Sequence, residues 1–249
     1  MQSRQSNDTA NTTGSKPGHI LHGVMNVCSG TREALGSLSV WDRAAHIFWL
    51  LGPFVLLVER SPADMWLSVI ALSFAGRSIL RREGWWLRVT WVRLAFLFWA
   101  ACLLSAFLSP LLAYSVGEAF VWFRFPLFAM AVAFWLGRDK RMINAMLLSI
   151  GLGMVAMCVI LAAETLIVGA NQGRLSWPYG DLVPGNYLAK ACLPAFVVVV
   201  AIATSSNGRT ASWAAIIALI SIVASLMTGE RVNFLIRACS GMLAAIAWR

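Results

Sequence analysis

MINAMLLSIGLGMVAMCVILAAETLIV, residues 142–168, contains one charged side chain, Glu164. A hydrocarbon core about 30 Å thick is crossed by about 20 apolar residues in a helix, so this stretch is long enough to span with turns to spare. Working outward, further apolar runs occupy residues 44–58, 65–76, 94–114, 119–136, 187–204, 211–227 and 232–248. The predicted fold is therefore all-α, a polytopic transmembrane helical bundle of about eight spans. The first two runs are shorter than a usual span, and the expectation there is either a crossing with polar flanks or a hairpin that dips into the bilayer. Either form returns the chain to the same side.

Composition agrees with the runs. Hydrophobic residues make up 59% of 249 residues, and charged residues only 12%, more apolar surface than a soluble domain of this length can bury. Twelve tryptophans and thirteen phenylalanines suit a chain that needs aromatic anchors at two lipid interfaces. The net charge of +9 would suggest nucleic acid in a soluble protein. Sorted by loop, it acquires another meaning, and no nucleic-acid partner is expected.

Basic residues alternate between connections. Arg4, Lys16, Arg32 and Arg43 precede the first run, and Arg77, Arg81, Arg82, Arg88 and Arg93 separate the second from the third. Arg138, Lys140 and Arg141 follow the fourth, Arg209 the sixth and Arg249 the eighth. The other connections carry Glu59, Asp64, Glu118, Glu164, Asp181 and Glu230, with only Arg60, Arg174, Lys190 and Arg231 as cations. The excess of cations in cytoplasmic loops then places the amino terminus in the cytoplasm. Residues 1–43 are polar and rich in Ser, Thr, Asn and Gly, read here as a flexible cytoplasmic tail preceding a membrane domain over residues 44–249. Cys102, Cys158, Cys192 and Cys239 lie within apolar runs and behave as small hydrophobes. His19 and His22, with Cys28, have metal-ligand spacing, but three such residues in a Gly-rich stretch are no basis for a site. No metal and no cofactor is expected.

The residues with chemical potential lie on the outer face. GANQGRLSWPYGDLVPGNYLAK, residues 169–190, is too rich in Gly and Pro to face lipid without unpaired backbone groups, so it lies at the surface or lines a wet cavity. Asn186 is a candidate N-cap of the sixth span, and Lys190 falls in its first turn, where a cation opposes the positive end of the helix dipole. The eighth span has the same arrangement, with Thr228 as candidate cap and Arg231 in the first turn. With Arg174 in the Gly-rich loop, these cations would form an anion-attracting patch if the spans are adjacent, suited to phosphate or pyrophosphate. The alternative is that Arg174 and Arg231 snorkel to lipid headgroups and the loop is an interfacial connector with Trp177 and Tyr179 in the aromatic belt. Arg124 lies six residues beyond Glu118, about 9 Å along the fourth span. At that depth it should face the bundle interior and pair with a carboxylate such as Glu118 or Glu164. Arg237 in the eighth span is placed similarly.

The segments GRLSWPYGDLVPGNYLA and TGERVNFL, separated by one span, resemble the arginine-containing loop and the TGSR-type motif of the O-antigen ligase and O-antigen polymerase superfamily. The resemblance covers roughly residues 90–249. It implies a multi-span inner-membrane glycosyltransferase of the lipid-dependent type, acting at the periplasmic face on a glycan carried by undecaprenyl pyrophosphate. Carried over by motif, Arg174 and Arg231, with Lys190 and Arg124 nearby, would bind the pyrophosphate or the glycan. The expected partners are thus the polyprenyl-pyrophosphate-linked glycan and the bilayer. Two departures stand out. Glu230 replaces a small Ser and Phe234 stands near a position frequently Trp, and the family's large periplasmic loop with its proposed catalytic His has no counterpart before residue 249. No catalytic residue is therefore expected in this chain, which reads as a fragment of a longer gene, ahead of a truncated inactive relative or a module completed by another chain. The competing classes are a transporter of an anionic lipid or metabolite and a non-catalytic membrane protein. A transporter would typically show inverted repeats and broken midplane helices, and neither is visible in the sequence.

Overall fold

A computed structural model describes residues 18–58, 60–169, 175–177, 184, 187–206, 208–229 and 231–247. Eleven α-helices account for most of them: α1 (Gly18–Gly36), α2 (Val40–Leu50), α3 (Gly52–Val58), α4 (Arg60–Leu80), α5 (Thr90–Phe107), α6 (Leu112–Trp122), α7 (Arg124–Ala131), α8 (Lys140–Ile167), α9 (Leu193–Ser205), α10 (Arg209–Met227) and α11 (Arg231–Ala247). No strand occurs among the described residues.

Among the described residues, six helical stretches are long and apolar enough to cross a membrane: Val40–Leu57, Ser61–Leu80, Thr90–Phe107, Leu112–Leu136, Lys140–Ile167 and Arg209–Met227. Leu193–Ser205 and Phe234–Ala247 are apolar but shorter. The first two apolar runs, which looked short in the sequence, thus belong to full-length stretches, because helix extends into the polar flanks around Asp42, Ser61 and Arg77. The shortening falls instead at the sixth and eighth runs. The polar stretch expected as a tail also differs, since residues 18–36 form α1. Val27, Thr31, Ala34 and Leu35 follow a 3.6-residue spacing that gives this helix a stripe to bury, and the Ser, Thr and Gly around them hid it.

Proline explains two irregularities. Pro126 has no N–H to give the Trp122 carbonyl, and its ring crowds that carbonyl, so the fourth span breaks at Phe123 between α6 and α7. Pro194 likewise cannot donate to the Lys190 carbonyl. The chain just before α9 widens into a π-helical turn over Tyr187–Ala191, closed by the Cys192 N–H on the Tyr187 carbonyl at 3.0 Å.

Two apolar cores meet along α8. The first gathers Trp49, Trp66, Ile70, Phe74, Met130 and Leu136 from α2, α4, α7 and the turn after it, with Met142 from the start of α8. The second gathers Met154, Met157 and Leu161 from farther along α8 with Leu175, Leu188 and Phe196. The arginine-rich end of the bundle is organised around Asp42, next to Ser39, which caps α2. Its carboxylate accepts from Arg81 at 2.9 Å, Trp135 Nε1 at 3.1 Å, Ser39 Oγ at 3.0 Å and Arg77 Nε at 3.4 Å. This ties the start of α2, the end of α4 and the turn after α7 into one end of the bundle.

Candidate functional site

At the opposite end, the long connection between α8 and α9 is held by hydrogen bonds at its described residues. The Glu164 carboxylate, buried in the last turn of α8, accepts from the Ser176 N–H and the Trp177 N–H, each at 2.9 Å, and from Ser176 Oγ at 3.2 Å. A carboxylate taking several backbone N–H groups at once is a charge-assisted anchor, stronger than a neutral contact. The adjoining Leu175 N–H donates to the Met227 carbonyl at 3.0 Å, and its side chain enters the second core. The connection is therefore fastened to α8 on one side and to the end of α10 on the other.

The candidate cations stand as follows. Arg174 lies outside the described residues, as do Asn186, Asp181 and Glu230. Lys190 sits on the π-helical turn forced by Pro194. Its three neighbours Tyr187, Leu188 and Ala189 are buried while Lys190 is exposed, and it makes no ion pair among the described residues. Arg231 is the first residue of α11. Arg124 opens α7 and pairs with Asp64 of α4 at 2.9 Å, rather than with Glu118 or Glu164. Glu118 is exposed, and Glu164 is committed to the loop. The α4–α7 packing brings Asp64 and Arg124 together across about sixty residues of sequence, which no local spacing could reveal.

Thr228 follows the last residue of α10, its hydroxyl donating back to the Ser225 carbonyl at 2.7 Å, and Gly229 follows at φ +75°. Gly takes this left-handed conformation without steric cost, so α10 stops here, two residues before α11 begins.

Below that turn lies Arg237, fully buried. One terminal nitrogen donates to the Ser221 carbonyl at 2.7 Å and to Ser221 Oγ, and the other to the Leu188 carbonyl at 2.5 Å, with Met154 Sδ at 3.8 Å. The guanidinium lies over the Phe196 ring, 4.7 Å from its centroid. Among the described residues it has no carboxylate partner. Its Nε and the neighbouring buried Ser225 Oγ are without hydrogen-bond partners there. Ser221, Ser225 and Thr228 are spaced to line one face of α10, making a polar seam under the turn at its carboxyl end. The sequence exposed Arg237 as a charge within an apolar run. It did not reveal the seam, because single Ser and Thr residues in apolar helices are common.

No group of three His, Cys, Asp or Glu side chains suited to a metal occurs among the described residues. The fold defines the class: a protein helical throughout its regular elements, with six helices among the described residues long and apolar enough to cross a membrane. No family model, no curated protein and no solved structure matches the chain.

Proposed function

We propose that this chain is the membrane-embedded, substrate-binding portion of an O-antigen ligase-like or polymerase-like glycosyltransferase of the bacterial inner membrane. In this reading it has eight spans and a cytoplasmic amino terminus, and it binds an undecaprenyl-pyrophosphate-linked glycan at the periplasmic face. The observation that supports this best is the hydrogen bond from Leu175 to Met227. It joins the residue after Arg174 to the turn that leads, four residues later, into Arg231, so the two motifs that carry the family resemblance are fastened together. Lys190, exposed on the π-helical turn whose Leu188 carbonyl accepts from Arg237 of α11, adds a third cation, one with no ion pair among the described residues.

Arginine and lysine donors directed at a pyrophosphate would stabilise the charge that develops on the leaving group as an acceptor hydroxyl attacks the anomeric carbon, a role that is electrostatic. The resemblance assigns the catalytic base to a periplasmic His downstream of these motifs, so binding is the role argued for Arg174, Arg231 and Lys190. Arg124, paired with Asp64, would set the packing of α7 against α4.

The test is binding of a polyprenyl pyrophosphate by the purified chain. Arg174→Ala and Arg231→Ala are each expected to weaken it by about tenfold or more, the cost of losing a charge-assisted hydrogen bond. Deletion of the gene should diminish surface polysaccharide. Wild-type affinity in both variants would overturn the reading, and transport of the lipid without glycan transfer would favour a carrier.

A further inference from the structure

At the arginine-rich end, α1 leaves a cavity of about 590 Å³ between itself, α2 and α8. Its volume lies within the range of small-ligand sites. Val27 and Leu35 of α1, Leu50 of α2, and Leu148 and Leu152 of α8 make its wall largely apolar, and Arg32 and Arg43 stand in the lining. The polar atoms deeper inside are already used, since Ser149 Oγ donates to the Leu50 carbonyl at 2.6 Å.

The two cations differ. Arg43 is spent on the carboxyl end of α1, donating to the carbonyls of Leu35 at 2.9 Å, Gly36 at 3.3 Å and Leu38 at 3.4 Å. Arg32 is exposed and has no ion pair among the described residues. The adjacent Glu33 faces Arg141 at 3.5 Å instead. Arg32 is therefore the lining cation whose donors have no hydrogen-bond or ion-pair partner among the described residues, and the apolar wall follows α8 from Ala145 to Leu152, about 10 Å. A cation beside an apolar slot, under an amphipathic helix at the basic end of a membrane bundle, matches the two ends of an anionic lipid.

We infer that this cavity binds one anionic phospholipid, with an acyl chain between α1 and α8 and the phosphate on Arg32. The inference does not depend on how the opposite end of the bundle functions.

Cys28 lines the same cavity and reports on its occupancy. In the full chain purified in a neutral detergent, the rate of maleimide labelling at the exposed Cys28 is followed by mass spectrometry, with Cys28→Ser giving the background from the other thiols. Phosphatidylglycerol should slow labelling of Cys28 alone, at concentrations about fivefold lower than phosphatidylcholine of the same chains. Glycerol phosphate, which has the charge without the chain, should not protect. Arg32→Gln should erase the difference between the two lipids, and Ala145→Phe should fill the slot and abolish protection by both. Should Ala145→Phe fail to fold, Leu152→Gln at the exposed edge of the slot serves the same purpose. Equal protection by the two lipids in the unaltered chain, protection by glycerol phosphate, or full protection in the slot variant would each overturn the inference.

Discussion

Glu164 Oε2 accepts the Trp177 N–H at 2.9 Å, so a carboxylate at the end of the longest helix sets the course of the loop that carries the family-like motif. Replacing it with Ala leaves the Ser176 and Trp177 N–H groups without this partner, at about 1–3 kcal/mol for each group that stays buried. Glu164→Ala should lower the melting temperature in detergent and speed proteolysis between residues 169 and 187. Glu164→Gln keeps one acceptor oxygen and should fall between Ala and the parent. Ligand affinity at the same end should decline in the same order.

Tyr187 Oη donates to the Pro53 carbonyl at 2.8 Å, and a Cβ on residue 153 would stand 2.3 Å from that oxygen. Gly153→Ala should therefore displace the ring and destabilise the protein by about 1–3 kcal/mol, as overpacking does. Tyr187→Phe removes the hydroxyl without a clash and should cost about 1 kcal/mol. In the double variant Gly153→Ala/Tyr187→Phe the penalties should be less than additive, because the clashing oxygen is gone. Thermal unfolding of the four proteins measures this.

A similar contact stands at the joint of α2 and α3. A Cβ at residue 52 would fall 2.1 Å from the Trp66 ring, which is itself fixed by its Nε1–H on the Phe48 carbonyl at 2.8 Å. Gly52→Ala should be among the most disruptive single-methyl changes in the chain. Folded yield after detergent extraction should fall well below that of Gly76→Ala, where a Cβ meets nothing within 4 Å.

Asp139 caps α8 through the Arg141 N–H at 2.8 Å, and the Arg141 guanidinium beside it holds its carboxyl below the usual carboxylate range. A depressed folded-state value means that the ionised cap stabilises the native protein above the unfolded-state value of about 3.9 and loses that effect as pH falls below it. The difference in melting temperature between the parent and Asp139→Ala should be constant near neutrality and shrink below about pH 3.9.

Arg237 bridges α11 to Ser221 of α10 and to Leu188 of the π-helical turn. A lysine has a single ammonium and cannot span both carbonyls with a planar fork. Arg237→Lys should then destabilise by about 1–3 kcal/mol and raise hydrogen exchange at residues 188–192, with little change around Asp42 at the far end. Equal loosening at both ends would show that Arg237 is not a local brace.

Much of this molecule is legible along the chain. The apolar runs from 44 to 248 announced helices, and the charge within an apolar run at Arg237, like the lone carboxylate at Glu164, marked positions that structure then found buried. Arg124 was likewise visible as an isolated cation, but its partner Asp64 was not, because the pairing depends on how α4 lies against α7. The helix over residues 18–36 was obscured by its Ser and Gly content, and the π-helical turn bearing Lys190 by the remoteness of its cause, Pro194, from any simple pattern.

The division has a physical origin. Hydropathy and charge are sums over side chains and act through the solvent, so the sequence by itself determined an all-helical chain with apolar helices of membrane-crossing length. Which carboxylate anchors the loop, which serines face the buried guanidinium and where α1 leaves a slot all rest on short-range contacts between residues far apart in the chain. Those contacts exist only once the helices have packed, and the tertiary structure alone decided them.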